Sequence, residues 1–134
     1  MNPASQTQKV KILVVDDESG IRELLSDFLE TEGYLVQTAK SGNEALLETE
    51  KFLPNLIMLD IILPDLDGVS VYKILRKKQI FSKIPVIFFS TLGPEAIPHA
   101  FLKEMANSPY ALISKPVKED LLIREVRKLI KTSH

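Results

Sequence analysis

Hydrophobic and polar positions along the chain switch between two periodicities, and each switch marks an element. Residues 12–15, Ile12-Leu13-Val14-Val15, are a β-branched apolar run and predict a short buried strand. Residues 19–32 predict a helix with Ile21, Leu24, Leu25, Phe28 and Leu29 on one face, and Gly33 stands where a C-cap belongs. A second strand is predicted over 34–38. Ser41 and Glu44 have capping-box spacing and open a helix carrying Ala45, Leu46 and Phe52, which Pro54 ends. The run 56–59 is continuously apolar, so both faces of that strand should be covered, and it leads directly into Asp60. The loop 64–68 is rich in turn residues, Asp65 and Asp67 among them, and a helix over 69–78 follows. Residues 86–89 predict a fourth strand ending on Ser90-Thr91. A fourth helix is placed at 95–106, where Pro98 limits its start. The fifth strand, 111–114, runs into Lys115-Pro116, and a last helix over 119–131 turns Leu122, Val126, Leu129 and Ile130 inward.

Five strands alternating with five helices imply an α/β fold, a parallel sheet covered on both faces. The 134 residues suit one domain, expected at 9–131, with a loose leader at 1–8 and a short tail at 132–134. Hydrophobic residues at 45% and charged ones at 26% are the balance of a soluble protein. The absence of cysteine excludes disulfides, thiolate metal sites and thiol nucleophiles, and fits a cytoplasmic location. A net charge of −1 supplies no basic field for nucleic acid, and no apolar run approaches a bilayer's span.

In such sheets ligands bind beyond the carboxyl ends of the strands. Strand one ends in Asp16-Asp17, strand three in Asp60, strand four in Ser90-Thr91 and strand five in Lys115. Clustered carboxylates repel one another, and a hard cation relieves that conflict. Magnesium suits it best, taking one or two carboxylates and keeping waters that phosphate oxygens can replace; manganese would serve in its place. A carboxylate nucleophile, a metal and a lysine around one anion are the parts needed for phosphoryl transfer onto an aspartate. Each residue alone has a plainer explanation: Asp16-Asp17 as a helix cap, Asp60 as a turn residue, Lys115-Pro116 as a solvated turn. Capping needs no convergence of three strand ends, and the convergence favours chemistry.

These residues closely resemble the receiver domain of two-component response regulators. The resemblance covers residues 9–131 and rests on Ile12-Leu13-Val14-Val15-Asp16-Asp17-Glu18, Ala39-Lys40-Ser41-Gly42-Asn43-Glu44-Ala45-Leu46, Leu59-Asp60-Ile61-Ile62-Leu63-Pro64-Asp65-Leu66-Asp67-Gly68, Pro85-Val86-Ile87-Phe88-Phe89-Ser90 and Ser114-Lys115-Pro116. It implies a flavodoxin-like sheet of order 2-1-3-4-5. It also implies that Asp60 accepts phosphate from a histidine kinase or a phosphotransfer protein. Asp17, Asp60 and the Ile62 carbonyl would hold magnesium, with Asp16 acting partly through water. Ser90 and Lys115 would bind phosphoryl oxygens, and the Lys115-Pro116 peptide would be cis. Such a chain catalyses its own phosphorylation and slow dephosphorylation and is not otherwise an enzyme. Ser90 would carry Thr91 and the following loop toward the phosphoryl group, altering the face of the fourth helix, fifth strand and fifth helix.

Two departures bear on readout. Leu112 stands where the family commonly has an inward-swinging aromatic residue; Tyr110, two residues earlier, should share its side of the strand. The stretch from Ser90 to Lys115 is longer than usual and contains Gly93, Pro94 and Pro98, so a modified fourth helix or longer loop is expected. Ile62 and Leu92 should flank the path of the hydrolytic water and, being apolar, slow dephosphorylation. The competing readings are a phosphorylation-independent interaction module, an aspartate-based phosphohydrolase and a flavin-binding protein. The phosphohydrolase usually has a second acid where Ile62 stands. The flavin site would want amides and hydroxyls where this chain is acidic. Output is expected through a protein target or an output domain outside this chain, without nucleic-acid or membrane contact by this domain.

Overall fold

A computed structural model of the chain describes residues 9–91, 97–105 and 110–133. Five strands, β1 (Lys11–Val15), β2 (Leu35–Ala39), β3 (Leu56–Asp60), β4 (Val86–Ser90) and β5 (Tyr110–Ser114), form one parallel sheet in the order β2-β1-β3-β4-β5. Five helices connect and cover them: α1 (Ser19–Thr31), α2 (Gly42–Phe52), α3 (Gly68–Arg76), α4 (His99–Met105) and α5 (Glu119–Ser133). β3 and β4 are buried at every position, as continuously apolar central strands require.

The alternation of side chains along the strands divides the core in two. Leu13, Val15, Ile57, Leu59, Val86 and Phe88 face α2, α3 and α4. Ile12, Val14, Met58, Ile87, Phe89 and Ile113 face α1 and α5. Each helix supplies one apolar stripe to one layer. Val71, Tyr72 and Leu75 of α3 enter the first, and Leu122, Val126 and Leu129 of α5 the second.

Several boundaries move for identifiable reasons. The strand expected at 34–38 is Leu35–Ala39, because the Tyr34 amide turns back to the Leu29 carbonyl and closes α1. Gly33 makes that turn at φ +92°, the left-handed region. The expected inward residue Leu24 is 43% exposed, at the edge of the α1 stripe. Ser41 Oγ accepts from the Glu44 amide, while Glu44 reaches back to the Lys40 amide rather than that of Ser41. The helix read as 69–78 is Gly68–Arg76; Lys77 and Lys78 tighten onto the Ile74 and Leu75 carbonyls and end it. α4 begins after Pro98, whose carbonyl accepts from the Phe101 and Leu102 amides. The expected ends of that helix, Glu95 and Ala106, lie outside the described residues, as do Gly93, Pro94 and the leader 1–8. α5 runs two residues past its expected end, to Ser133.

Candidate functional site

The rim at the carboxyl ends of β1, β3, β4 and β5 gathers the polar residues that end the apolar runs. Asp16 is fully buried just after β1, where its amide donates to the Ala39 carbonyl and its Oδ1 accepts from the Glu18 amide at 2.8 Å. Asp17 and Glu18 are exposed beside it. Asp16, Asp17 and Glu18 each bring a carboxylate oxygen within 4.8 Å of the others. Glu18 is a member of this cluster to which the sequence reading assigned no role; the signal was three consecutive acids at one strand end.

Asp60, the last residue of β3, is buried. Its Oδ1 accepts from the Ile62 amide at 3.1 Å, so the chain folds back over its own carboxylate. Gly68 permits that fold: its amide donates to the Ile61 carbonyl at 2.7 Å, and a Cβ there would lie 2.4 Å from the Asp60 carbonyl oxygen. Ile62 itself is 52% exposed at the lip of the site.

Lys115 joins the two buried acids. Its Nζ lies 3.0 Å from Asp60 Oδ2 in a hydrogen-bonded ion pair, and 2.8 Å from Asp16 Oδ2. Both contacts are of hydrogen-bond length, so the one ammonium is shared between the two buried carboxylates. The ammonium also lies over the Phe89 ring, 5.2 Å from its centroid. The Lys115 amide donates to the Ser90 carbonyl, and the Lys115-Pro116 peptide is cis. Ser90 is buried at the end of β4 and Thr91 is exposed after it.

Two acids share one cation here, and the charges do not balance. Burial raises Asp60 from 3.8 to about 6, although Lys115 and the Ile62 amide pull it down; the Asp16 charge adds to the rise. Burial draws the Lys115 ammonium downward, but its contacts with Asp16 and Asp60 outweigh that and hold its pKa above the usual lysine value.

Asp65 and Asp67 are helix caps rather than simple turn residues. Asp67 Oδ1 accepts from the Ser70 amide and caps α3. Asp65 reaches across to α2 and accepts from the Gly42 amide at 2.7 Å and the Asn43 amide at 2.8 Å. These amides hold its carboxyl below the usual range. The β3–α3 loop is thereby tied to the start of α2.

Tyr110 and Leu112 are half-buried on the α4 side of β5. A cavity of about 20 Å³, roughly one water, lies between Ile61, Ser90, Leu112 and Ser114. Leu92 lies outside the described residues. Among the described residues no helix is long and apolar enough to cross a membrane.

Comparison with known proteins agrees with this geometry. The family described as the response regulator receiver domain matches residues 12–127. The probable transcriptional regulator ycf27 of Cyanophora paradoxa is 40% identical over 126 residues, which are 94% of this chain and 50% of that protein. The alkaline phosphatase synthesis transcriptional regulatory protein PhoP of Bacillus subtilis is 51% identical over 85 residues, 63% of this chain and 35% of that protein. The chain spans about a third to a half of the length of the curated relatives it matches. The structure of a Francisella response regulator receiver domain superposes with a TM-score of 0.80 at 32% identity, covering 94% of this chain and all of that one.

Proposed function

The chain belongs to the response regulator receiver domain family, and from that premise we propose that Asp60 accepts a phosphoryl group from a histidine kinase or a phosphotransfer protein. Receiver domains are phosphoacceptors that bind magnesium at an acidic pocket and serve phosphorylation-based signalling. The observation that carries the assignment to Asp60 is the Lys115 ammonium held between Asp60 and Asp16, three residues from three separate strand ends. An Asp60 carboxylate oxygen forms the new O–P bond as the N–P bond of phosphohistidine breaks, and the imidazole leaves with the electron pair. Lys115 faces the incoming charge, and the Ser90 hydroxyl donates to a phosphoryl oxygen.

The donor set fits a hard cation. The buried Asp16 and Asp60 share a single ammonium, and Asp17 and Glu18 add exposed carboxylates beside Asp16. Asp17, Asp60 and the Ile62 carbonyl would hold magnesium, with Asp16 supporting it through water. Bound there, magnesium neutralises carboxylate and phosphoryl charge that Lys115 alone leaves unbalanced. On this reading the chain works in the cytoplasm and signals to a protein target or an attached output domain through α4, β5 and α5.

Acetyl phosphate with magnesium tests the reading. Intact mass should rise by one phosphoryl group in the native chain and not in Asp60→Asn. Unchanged mass, or a rise that survives Asp60→Asn, rejects phosphoacceptance at this residue. The apolar Ile62 at the lip gives no polar group to position a hydrolytic water, so the phosphoryl group should persist for many minutes. A half-life of seconds would contradict that.

A further inference from the structure

Between Gly68 and Pro94 the sequence has five cations, Lys73, Arg76, Lys77, Lys78 and Lys83, and no acid, in a chain whose net charge is −1. The segment passes the pole opposite Asp60, where α3 ends and β4 begins. Between them lies a 3-10 turn, Gln79–Phe81.

That turn is pinned from two sides. The Arg76 guanidinium donates to the Phe81 carbonyl at 3.0 Å and the Ile84 carbonyl at 2.6 Å, and the Phe81 ring is buried. Ser82 Oγ donates to the Gln79 carbonyl at 2.8 Å. Ile80 is thereby held outward, 70% exposed, the most exposed large apolar residue among those described. An apolar side chain on a fixed turn loses little freedom when something covers it.

Beside Ile80 runs a groove of about 450 Å³ between this turn and the link from α2 to β3. Pro54, Pro85 and Ile80 give it apolar walls, and the exposed Gln79 adds a side-chain amide, while Asn55 Oδ1 accepts from the Lys11 amide at 2.8 Å. Lys83 lines it, and Lys77 is exposed at the end of α3 just before it. Lys78 is paired with Glu50, but among the described residues neither Lys77 nor Lys83 forms an ion pair.

We propose that this pole is a docking site for an acidic peptide segment of a partner protein, with one aliphatic side chain seated against Ile80 and the prolines and carboxylates meeting Lys83 and Lys77. Concavity favours a peptide over a bilayer, which is met by a broad amphipathic face. No aromatic side chain lines the groove, so it lacks the stacking platform of a single-strand nucleic-acid site. The site uses none of the groups around Asp60.

A randomised decapeptide phage library panned on the full chain, with the Ile80→Glu chain as counter-selection, tests this. Recovered peptides should be acidic with an aliphatic residue. Their affinity should fall at least tenfold on Ile80→Glu and on Lys83→Glu, and stay the same on Asp60→Asn. Both test positions are surface residues, and unchanged labelling by acetyl phosphate checks that the variants are folded. Failure to enrich any peptide, enrichment of neutral or basic ones, or binding indifferent to Ile80→Glu overturns the proposal. So does tighter binding, sensitive to Ile80→Glu, to phosphatidylglycerol vesicles or to a 20-nucleotide single strand.

Discussion

Asp60 carries its charge against its surroundings. Burial lifts it from 3.8 to about 6 despite the Lys115 ammonium. Between those values the folded chain holds a proton that the unfolded chain has released. The stability tied to this group is therefore complete below about 3.8 and is lost as pH rises through about 6. Asp60→Asn should then be more stable than the native chain near neutral pH, by about 1–3 kcal/mol, since a one-unit shift is worth about 1.4 kcal/mol. Urea unfolding in EDTA across pH reads this directly: the gap should close toward pH 4. A pH-independent gap, or a less stable Asn variant at neutral pH, would show that burial does not dominate. Gly68 is the second residue under tension with the site. Its missing Cβ leaves room for backbone, which cannot yield as a flexible side chain would. Gly68→Ala should cost at least about 2 kcal/mol and slow labelling by acetyl phosphate, because the strand end carrying Asp60 must shift.

The elements were legible where the signal is local. Apolar runs placed all five strands, and Gly33, Ser41 and Pro54 marked the ends of α1 and α2 because caps act within a few residues. The role of Asp65 was not legible. Its partners, Gly42 and Asn43, lie on another element, and only the fold brings a loop acid onto that helix start. Asp65→Asn should weaken this tie: the Gly42 and Asn43 amides should exchange roughly tenfold faster, and the melting temperature should fall. Unchanged exchange would mean that Ser41 alone caps α2. Leu53 was also unreadable from pattern. It closes α2 at φ +53°, where a non-glycine residue is strained, and its side chain is half exposed. Leu53→Gly trades that strain against a more flexible unfolded chain and should stabilise by about 0.5 kcal/mol. A lower melting temperature would show that the exposed leucine packs more than its exposure implies.

At the scale of the molecule, the rule that places ligands at strand carboxyl ends brings Asp16, Asp60, Ser90 and Lys115 to one rim from the sequence alone. The path away from that rim was hidden, because it depends on which helix a buried ring meets. β5 carries Leu112 where the resemblance predicts an aromatic residue, yet an aromatic cluster stands in the same core layer. Tyr72 of α3, Phe88 of β4 and Phe101 of α4 meet with ring centroids 5.2–6.3 Å apart, two of the three pairs edge-on. Phe88 lies two residues before Ser90 and so on the same face of β4. On the proposed function, a displacement of Ser90 toward a phosphoryl group would reach α4 through the Phe88 ring, which meets Phe101. Phe101→Leu keeps the site apolar while removing the edge-on contacts, at a cost of about 1 kcal/mol. Its labelling by acetyl phosphate should stay within about twofold of the native rate, since Phe101 touches none of the acceptor groups. The phosphorylation-induced amide shifts of α4 should fall to less than half, measured by nitrogen–proton correlation spectra. Full-sized shifts in that variant would mean that the signal travels by β5 and Leu112 instead.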